Sequence, residues 1–358
     1  MFTSWLTMSA MLAVNPPALA AEKTEVDGAI ERGLAYLQRS QNADGSWRGG
    51  PGTPKNVAVT ALSVMAFLSA GHVPGEGRYG ITVDKGIDWV LGQQQRNGLI
   101  ASDGGHEMYH HGISTLMLAE VAGMTGGNLA GEVRRELVKA VEVILQAQRL
   151  TPGQQHGGWR YHLDPRRDYP QTTDLSVTGW QLLALRAAKN LGCDIPTERI
   201  DWAVAYIQRC HDPNTGGYCY DPGRAVTVGC TGTGILGLEL CGKERHQTPQ
   251  ALKAGSYLIN HPPHWGSDHF FYSIYYCGQA TFQLGGNYWN FYKPQLHKVL
   301  LNNQSRTDSS WLGGDAGSRL YGPHYCTAMA VLALTVEYRL LPIYQRGEEP
   351  AEPAKGSP

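Results

Sequence analysis

The chain has 358 residues, of which 17% are charged, and its formal net charge at pH 7 is −1. This balance excludes the basic face of a nucleic-acid-binding protein and the cationic patch that binds anionic membranes. No uninterrupted apolar run of about 18 residues occurs, so the sequence predicts no membrane-spanning helix.

The N-terminal stretch differs in kind from the rest of the chain. Residues 5–14 form a short apolar core, and Ala18-Leu19-Ala20 is a small-x-small pattern. The arrangement resembles a secretory signal peptide cleaved after Ala20, although a positively charged segment before the core is missing. It predicts residues 1–20 as a signal peptide and an exported protein, periplasmic or secreted. At the other end, residues 347–358 carry no large apolar side chain and predict a disordered tail.

A repeat organises the residues between these ends. Its clearest copy has a helical pattern over Asp27–Gln41, a turn with an aromatic residue at Asp44–Trp47, and an apolar run that begins at Val57. Further copies contain Gln148 and Trp159, Gln208 and Tyr218, and Gln304 and Trp311, with two degraded copies at residues 89–99 and 257–266. A period of about fifty residues is typical of two-helix repeats.

The two helices of each repeat differ in composition. The first is amphipathic and charged and should face water, whereas the second is rich in Ala, Leu, Gly and Thr and should be buried on most sides. About six such pairs can form an open solenoid or close into a ring. The number favours closure, so the predicted fold is an all-α (α/α)6 toroid with a central cavity, in one domain over residues 21–346.

These motifs resemble those of a known superfamily. The step from Gln to Gly-x-Trp, together with inner helices such as Thr60-Ala61-Leu62, resembles the prenyltransferase/squalene-oxidase repeat of terpenoid cyclases and protein prenyltransferases. The resemblance covers about residues 27–345 and is closest to exported bacterial members that are similar to the C-terminal part of squalene-hopene cyclase. It implies the toroid and a transferase or isomerase that acts in the cavity on a prenyl or other lipid-like substrate.

The chemistry of the cyclases transfers only in part. Squalene-hopene-type cyclases protonate an alkene with the middle Asp of an Asp-x-Asp-Asp-Thr motif. With the motif's threonine on Thr178, the first Asp falls on Asp174, but the proton-donor position holds Ser176. A serine hydroxyl is too weak an acid for this step, so cyclisation by this mechanism is disfavoured. Asp174 stays a candidate catalytic residue, with a helix cap as the alternative.

The zinc site of the prenyltransferases is also incomplete. The resemblance places its Asp, Cys and His on Val228, Cys230 and His324, so that two of three protein ligands are present. Zinc generally takes at least three ligands from protein, and only a substitute such as Asp221 would complete the set. We therefore predict no cofactor and retain His324 as a candidate catalytic residue.

A histidine cluster precedes the second inner helix. His106, His110 and His111 flank Glu107 and could ligate a metal or supply an acid/base pair, and the alternative is a histidine-rich rim without a metal. His111 is taken as a third candidate catalytic residue.

Other polar residues precede the inner helices and should converge on one mouth of the cavity. There, six helix N-termini would favour an anionic group. The excess of 18 Tyr and 9 Trp over 6 Phe suits sugar stacking or cation contacts. The predicted cavity residues are His110, Tyr161, Tyr220, Asp221, Asp268, His269, Tyr276 and Tyr321.

Three functional classes follow. The first is an enzyme for a prenyl or other lipid-like substrate, favoured by a deep apolar cavity. The second is a non-catalytic binding or scaffold ring, favoured by a cavity that side chains fill. The third is a polysaccharide lyase or glycosidase, favoured by a wide polar groove with carboxyl groups paired among Asp164, Asp174, Asp221 and Asp268. The expected ligand is a small molecule, lipid-like compound or glycan.

Overall fold

A computed structural model describes residues 24–102, 105–168, 172–241 and 247–345. The predicted signal peptide and C-terminal tail therefore lie outside the described residues. Regular structure is almost entirely helical, with one short antiparallel pair of strands, β1 (Tyr218–Cys219) and β2 (Val226–Thr227). None of the described helices is both long and apolar enough to cross a lipid bilayer.

Outer and inner helices alternate along the chain. The outer helices are α1 (Glu25–Ser40), α3 (Gly80–Leu91), α5 (Gly127–Ala147), α7 (Thr197–Arg209), α9 (Pro249–Asn260) and α11 (Gly286–Asn302). The inner helices are α2 (Val57–Ser69), α4 (Glu107–Met124), α6 (Leu175–Asn190), α8 (Val228–Leu240), α10 (Phe270–Leu284) and α12 (Ala316–Leu334).

The six inner helices form a closed ring. Each packs against the inner helices before and after it, and α12 also packs against α2, which joins the end of the ring to its beginning. The outer helices surround this ring. The closure confirms the predicted (α/α)6 toroid.

Burial follows the composition of each helix. Every residue of α2 is buried, as expected for a segment without charged side chains. In α1 the buried positions form a single stripe: Ala29, Ile30, Gly33, Leu34 and Leu37. The charged face of α1 is left to solvent, so the difference between outer and inner helices was readable in the sequence.

The aromatic residue of each repeat ties an outer helix to its inner partner. The indole N–H groups of Trp47, Trp159 and Trp311 donate to carbonyls of the preceding outer helix at 2.8, 2.7 and 2.9 Å. Their backbone N–H groups donate to hydroxyls on the following inner helix, those of Thr60, Thr178 and Thr327. Tyr218 makes the equivalent backbone contact to Thr231. The recurrence of these residue types therefore reflects one repeated contact.

The glutamine of the repeat links one unit to the next. Its Nε2 donates to a carbonyl of its own turn and to a carbonyl of the next outer helix. Gln148, for example, contacts Gly157 O and Arg199 O, both at 2.9 Å. In the last unit, Gln304 Nε2 donates at 3.0 Å to Ala29 O, on the first outer helix. The same contact that joins neighbours thus also closes the ring.

The C-terminal segment covers one end of the ring. A short turn over Pro342–Tyr344 packs against α4 and α6. The Ile343 N–H donates at 3.3 Å to Glu120 Oε2, near the end of α4, and the Tyr344 hydroxyl lies 2.5 Å from that of Tyr275. The segment therefore packs at the end of the ring where α4 terminates.

Candidate ligand-binding site

The starts of the inner helices meet at one end of the ring, which we call the mouth. Backbone N–H groups at three starts donate to the segment before the next inner helix: Val57 to Ser102 Oγ, Met108 to Tyr161 O and Leu175 to Tyr220 O. Further round, Gly229 of α8 packs against the Tyr272 ring, and Gly317 of α12 packs against His269. The segments that carry most of the polar residues singled out in the sequence thus border one opening.

Asp174 caps the start of α6 and is fully buried. Its Oδ1 accepts hydrogen bonds from the Val177 N–H at 2.9 Å and the Ser176 hydroxyl at 2.5 Å, and its Oδ2 accepts one from the Tyr220 hydroxyl at 2.6 Å. Burial raises the pKa of this carboxyl, and the hydrogen bonds oppose the rise. A ligand in the mouth meets the Ser176 and Tyr220 side chains before it meets the carboxyl group.

Tyrosines extend this network. The hydroxyl of Tyr161 bonds to that of Tyr220, and the hydroxyl of Tyr109 bonds to Ser176 Oγ. Burial, together with the nearby Asp174 charge, raises the pKa of Tyr109, Tyr161 and Tyr220. The phenols therefore stay neutral at physiological pH and can both donate and accept hydrogen bonds.

A guanidinium and an imidazole flank the tyrosines. The Arg160 Cζ lies 4.5 Å from the ring centroid of Tyr161 and 5.8 Å from that of Tyr220, within the range of cation–π contacts. The His106 ring stacks on Tyr161 with centroids 4.2 Å apart. His106 also takes a left-handed backbone conformation, with φ at 55°, directly before α4. Stacked rings and one cation therefore form this part of the rim.

A cavity of about 390 Å³ opens beside these rings. It is lined by Arg160, Thr172, Tyr220, Asp221, Arg224, Ala225 and Thr227. Burial raises the pKa of Asp221, while Arg224, whose Nε lies 3.7 Å from the carboxylate, opposes the rise. Most of the exposed wall of the cavity is apolar, and two guanidinium groups, one carboxyl group and a tyrosine ring border it.

Below the mouth, aromatic rings fill the axis of the ring. Trp180 of α6 stacks on Tyr275 of α10, with centroids 5.3 Å apart and planes at 10°. Tyr276 packs edge-on against Trp180, also at 5.3 Å, and its buried hydroxyl has no hydrogen-bond partner among the described residues. Because α6 and α10 are not neighbours in the ring, these contacts cross the central space.

His111, a candidate catalytic residue, lies on the side of α4 that faces α5 and not at the mouth. It is fully buried, its Nδ1 accepts the Ile100 N–H at 3.1 Å, and its Nε2 lies 2.9 Å from Ala140 O of α5. Burial lowers its pKa to about 4, so the ring is neutral and both nitrogens are occupied. The half-buried His110 accepts the Ser102 N–H at 3.2 Å.

His324 lies on the α1 side of the ring. It is 6% exposed, stacks on Tyr36 with centroids 5.6 Å apart, and follows a kink at Gly322, where φ is 85°. Tyr321, just before the kink, is 43% exposed. The structure therefore does not bring His111 and His324 into the Asp174 network, and we do not assign the three residues a shared catalytic role.

Asp268 and His269 stand at the start of α10. Their side chains are 86% and 60% exposed and lie 3.7 Å apart. They belong to the α10 and α12 part of the rim and make no hydrogen bond or ion pair with the network around Asp174. Of the predicted cavity residues, Tyr161 and Tyr220 share a hydrogen bond, and Tyr220 and Asp221 line the same cavity.

The candidate zinc positions do not come together either. Cys230 is buried, and burial raises its pKa to about 12, so its thiol stays protonated. Its electrostatic neighbours are Asp174 and Cys219, whereas His324 contacts Tyr36. Within the described ranges, no group of three His, Cys, Asp or Glu side chains is placed to hold a metal ion.

Two groups near the mouth were not among the predicted site residues. One is Tyr109, the third residue of α4. Tyr272 holds the same position in α10, so the recurrence of a tyrosine at the third helical position could have indicated it. The other is Asp168, buried between Arg149 and His162, whose Nδ1 lies 2.8 Å from the Asp168 carboxylate. Nothing in the irregular loop that carries Asp168 and His162 indicates this contact.

Comparisons with known proteins find the fold and no family. No family model and no curated protein matches the chain. Among solved structures, an inactive variant of the α-1,6-mannanase GH76A of Salegentibacter sp. HEL1_6, in complex with α-1,6-mannotriose, is similar with a TM-score of 0.65 and 13% identity, covering 87% of this chain and 99% of that one. The type II terpene cyclase MstE from Scytonema is similar with a TM-score of 0.60 and 14% identity, covering 88% and 99%.

At this level of identity the similarities show the fold alone. They place the chain among α/α toroids, a class in which a glycosidase and a terpene cyclase share one architecture. Both the lipid and the glycan readings of the sequence are compatible with that class, and the fold favours neither.

Proposed function

We propose that this protein is a toroid that binds a hydroxyl-rich, glycan-type ligand at its mouth. The observation that carries the proposal is a cavity at the mouth, next to an arginine and a tyrosine. The cavity of about 390 Å³ lies at the mouth beside Tyr220 and Arg160, whereas the Trp180–Tyr275 stack fills the axis below it.

The side chains at the mouth suit such a ligand. Tyrosine rings offer flat faces for the C–H surface of a sugar ring, and phenol oxygens can accept hydrogen bonds from sugar hydroxyls. Tyr220 lines the cavity next to the guanidinium of Arg160, which also lies over the Tyr161 ring. A cavity of this volume falls within the usual range for small-ligand sites.

A prenyl chain fits this arrangement less well. It would need a deep apolar chamber, and aromatic rings occupy the axis where such a chamber would lie. Ser176 stands where a cyclase has its proton donor, and the neighbouring Asp174 is fully buried behind hydroxyl groups. These features argue against alkene protonation at this site.

We propose binding and not hydrolysis because, among the described residues that line the cavity, Asp221 is the one that carries a carboxyl group. Asp174 is buried, Asp164 is held by Arg166 and Asp268 belongs to another part of the rim. The inactive mannanase variant carries replacements at two consecutive aspartates, and this chain has no two consecutive aspartates. Export, as the N-terminal pattern predicts, would place the mouth where extracellular or periplasmic glycans occur.

Calorimetric titration tests the proposal. Neutral and acidic oligosaccharides and a prenyl alcohol are titrated into the wild-type protein and into Tyr220→Ala. We expect an oligosaccharide to bind to the wild-type protein. Tyr220→Ala should raise its dissociation constant about three- to tenfold, the usual effect of losing one aromatic contact. Tyr220→Phe retains the ring and separates stacking from loss of the hydroxyl. Tyr257→Ala, on the outer helix α9, is the matched control.

Two outcomes would overturn the proposal. One is binding of the prenyl alcohol and of no oligosaccharide. The other is oligosaccharide binding that Tyr220→Ala leaves unchanged.

A further inference from the structure

Resting on the proposed function, we infer that the ligand carries an oxyanion, a carboxylate, phosphate or sulfate, and that Arg160 binds it. Arg160 differs from four other arginines near the cavity, each of which has a carboxylate partner. These pairs are Arg149 with Asp168, Arg166 with Asp164, Arg167 with Glu107, and Arg224 with Asp221.

Arg160 forms no ion pair with any carboxylate in the part of the chain that the structure describes. Its Nη1 donates at 3.2 Å to Thr173 O, and no other hydrogen bond is made by its guanidinium. Since a guanidinium carries five N–H donors, most of this group is available to a ligand. It lines the cavity, so the ligand can reach it.

The tyrosines hold this guanidinium in place. Its Cζ lies 4.5 Å from the centroid of Tyr161 and 5.8 Å from that of Tyr220, and the two tyrosine hydroxyls are bonded to each other. Because this planar guanidinium group is already held in place, it loses little conformational freedom when it binds a carboxylate or phosphate through two parallel hydrogen bonds.

The local charge also favours an anion. The cavity wall contains Arg160 and Arg224 but only one carboxyl group, that of Asp221. The next nearest carboxyl group, Asp174, is buried and accepts three hydrogen bonds from Val177, Ser176 and Tyr220, which disperse its charge. An oxyanion at Arg160 would therefore meet a cavity wall with two guanidinium groups and one carboxyl group, while the Asp174 carboxyl is buried nearby.

The ligand class follows from combining this cation with the tyrosine faces. A uronic-acid-containing oligosaccharide, or a phosphorylated or sulfated sugar, would place its ring against Tyr220 and its anionic group on Arg160. Arg160 is thus the residue that would select a negatively charged ligand at the proposed site.

Calorimetry with three probes tests the inference: trigalacturonate, a mannose phosphate and neutral α-1,6-mannotriose. We expect at least one anionic probe to bind about tenfold or more tightly than the neutral one, since a charge-assisted hydrogen bond is worth that much. The advantage should shrink as salt is added, because the guanidinium is partly exposed. Which anionic probe binds more tightly identifies the oxyanion.

Variants assign the effect to Arg160. Arg160→Gln should abolish the preference for the anionic probe, Arg160→Lys should retain part of it, and Arg166→Gln, which alters an exposed and paired arginine, should leave it intact. Equal affinity for neutral and anionic probes would overturn the inference and leave the proposed function standing. A preference that Arg160→Gln leaves unchanged would overturn it too. Failure of every probe to bind would overturn both.

Discussion

Tyr220 donates its hydroxyl hydrogen to Asp174 at 2.6 Å and thereby joins the segment before α8 to the cap of α6. The same tyrosine forms a wall of the cavity at the mouth. The Tyr220 side chain therefore bonds to a buried carboxyl group through its hydroxyl and also borders the cavity. Changes at the mouth should consequently be felt in the stability of the ring.

Replacement of Asp174 tests its structural role. Asp174→Ala removes the α6 cap and leaves three donors without their acceptor, so it should destabilise the protein by about 1 to 3 kcal/mol. Asp174→Asn retains a capping oxygen and should cost less. Thermal and denaturant unfolding of both variants measure the difference. Equal stability of Asp174→Ala and wild type would contradict the geometry described.

Replacement of His111 tests whether this residue is a structural link. His111→Ala should destabilise by about 2 to 4 kcal/mol, because it leaves a cavity and removes the partners of Ile100 N and Ala140 O. His261→Ala, at an exposed position, should change stability by less than about 0.5 kcal/mol. Denaturant titration compares the two. A neutral His111→Ala would return this residue to the list of candidate active-site groups.

The closure of the ring can be probed at one hydrogen-bonded glutamine. Gln304→Ala removes the contact to Ala29 O and the one to Ser309 O, and should lower the unfolding free energy by about 1 to 3 kcal/mol. Hydrogen exchange should quicken in α1 and α11, the two helices it joins. Gln295→Ala, on the exposed face of α11, is the control. Exchange that quickens equally in both variants would argue against a closing role.

Glu120 should make stability depend on pH. It is fully buried among apolar residues, and burial raises its pKa from about 4.5 to about 8. The folded state thus binds the proton more tightly than the unfolded state. The stabilising protonated form is complete below about pH 4.5, and stability is lost as the pH rises to about 8, by up to an amount on the order of 5 kcal/mol.

Glu120→Gln isolates this effect from other titrating groups. Relative to wild type, the variant should gain stability between about pH 5 and pH 8 and show no further gain above that range. Unfolding free energies across the pH range check it, with Glu132→Gln on the surface of α5 as the control. A difference that does not vary with pH would mean that Glu120 is hydrated or paired in solution.

The ring was predictable because its determinants repeat. The glutamine, the aromatic residue and the inner-helix threonine recur at similar separations, and each makes a contact that the next unit makes again. The alternation of charged and nearly uncharged helices likewise indicates which helices face inward. Such local, repeated signals carry fold information even without any knowledge of the tertiary structure.

The site was less predictable because it depends on helix phase and on irregular loops. His110 and His111 are adjacent in sequence, yet one is half-buried beside Ser102 and the other is wholly enclosed against α5. In the sequence, Trp180 and Tyr275 cannot be distinguished from other residues of the inner helices. The curvature of the closed ring brings their side chains face to face. The contact of Ile343 with Glu120 spans 223 residues and has no sequence signature.

The account's central claim is that ligands bind at the mouth of a ring whose axis is filled. A crystal structure of the protein soaked with an acidic oligosaccharide tests it most directly. The account predicts density for the sugar against Tyr220 and Arg160, with the Trp180–Tyr275 stack unchanged. Density for a ligand between Trp180 and Tyr275, with the two rings moved apart, would contradict it.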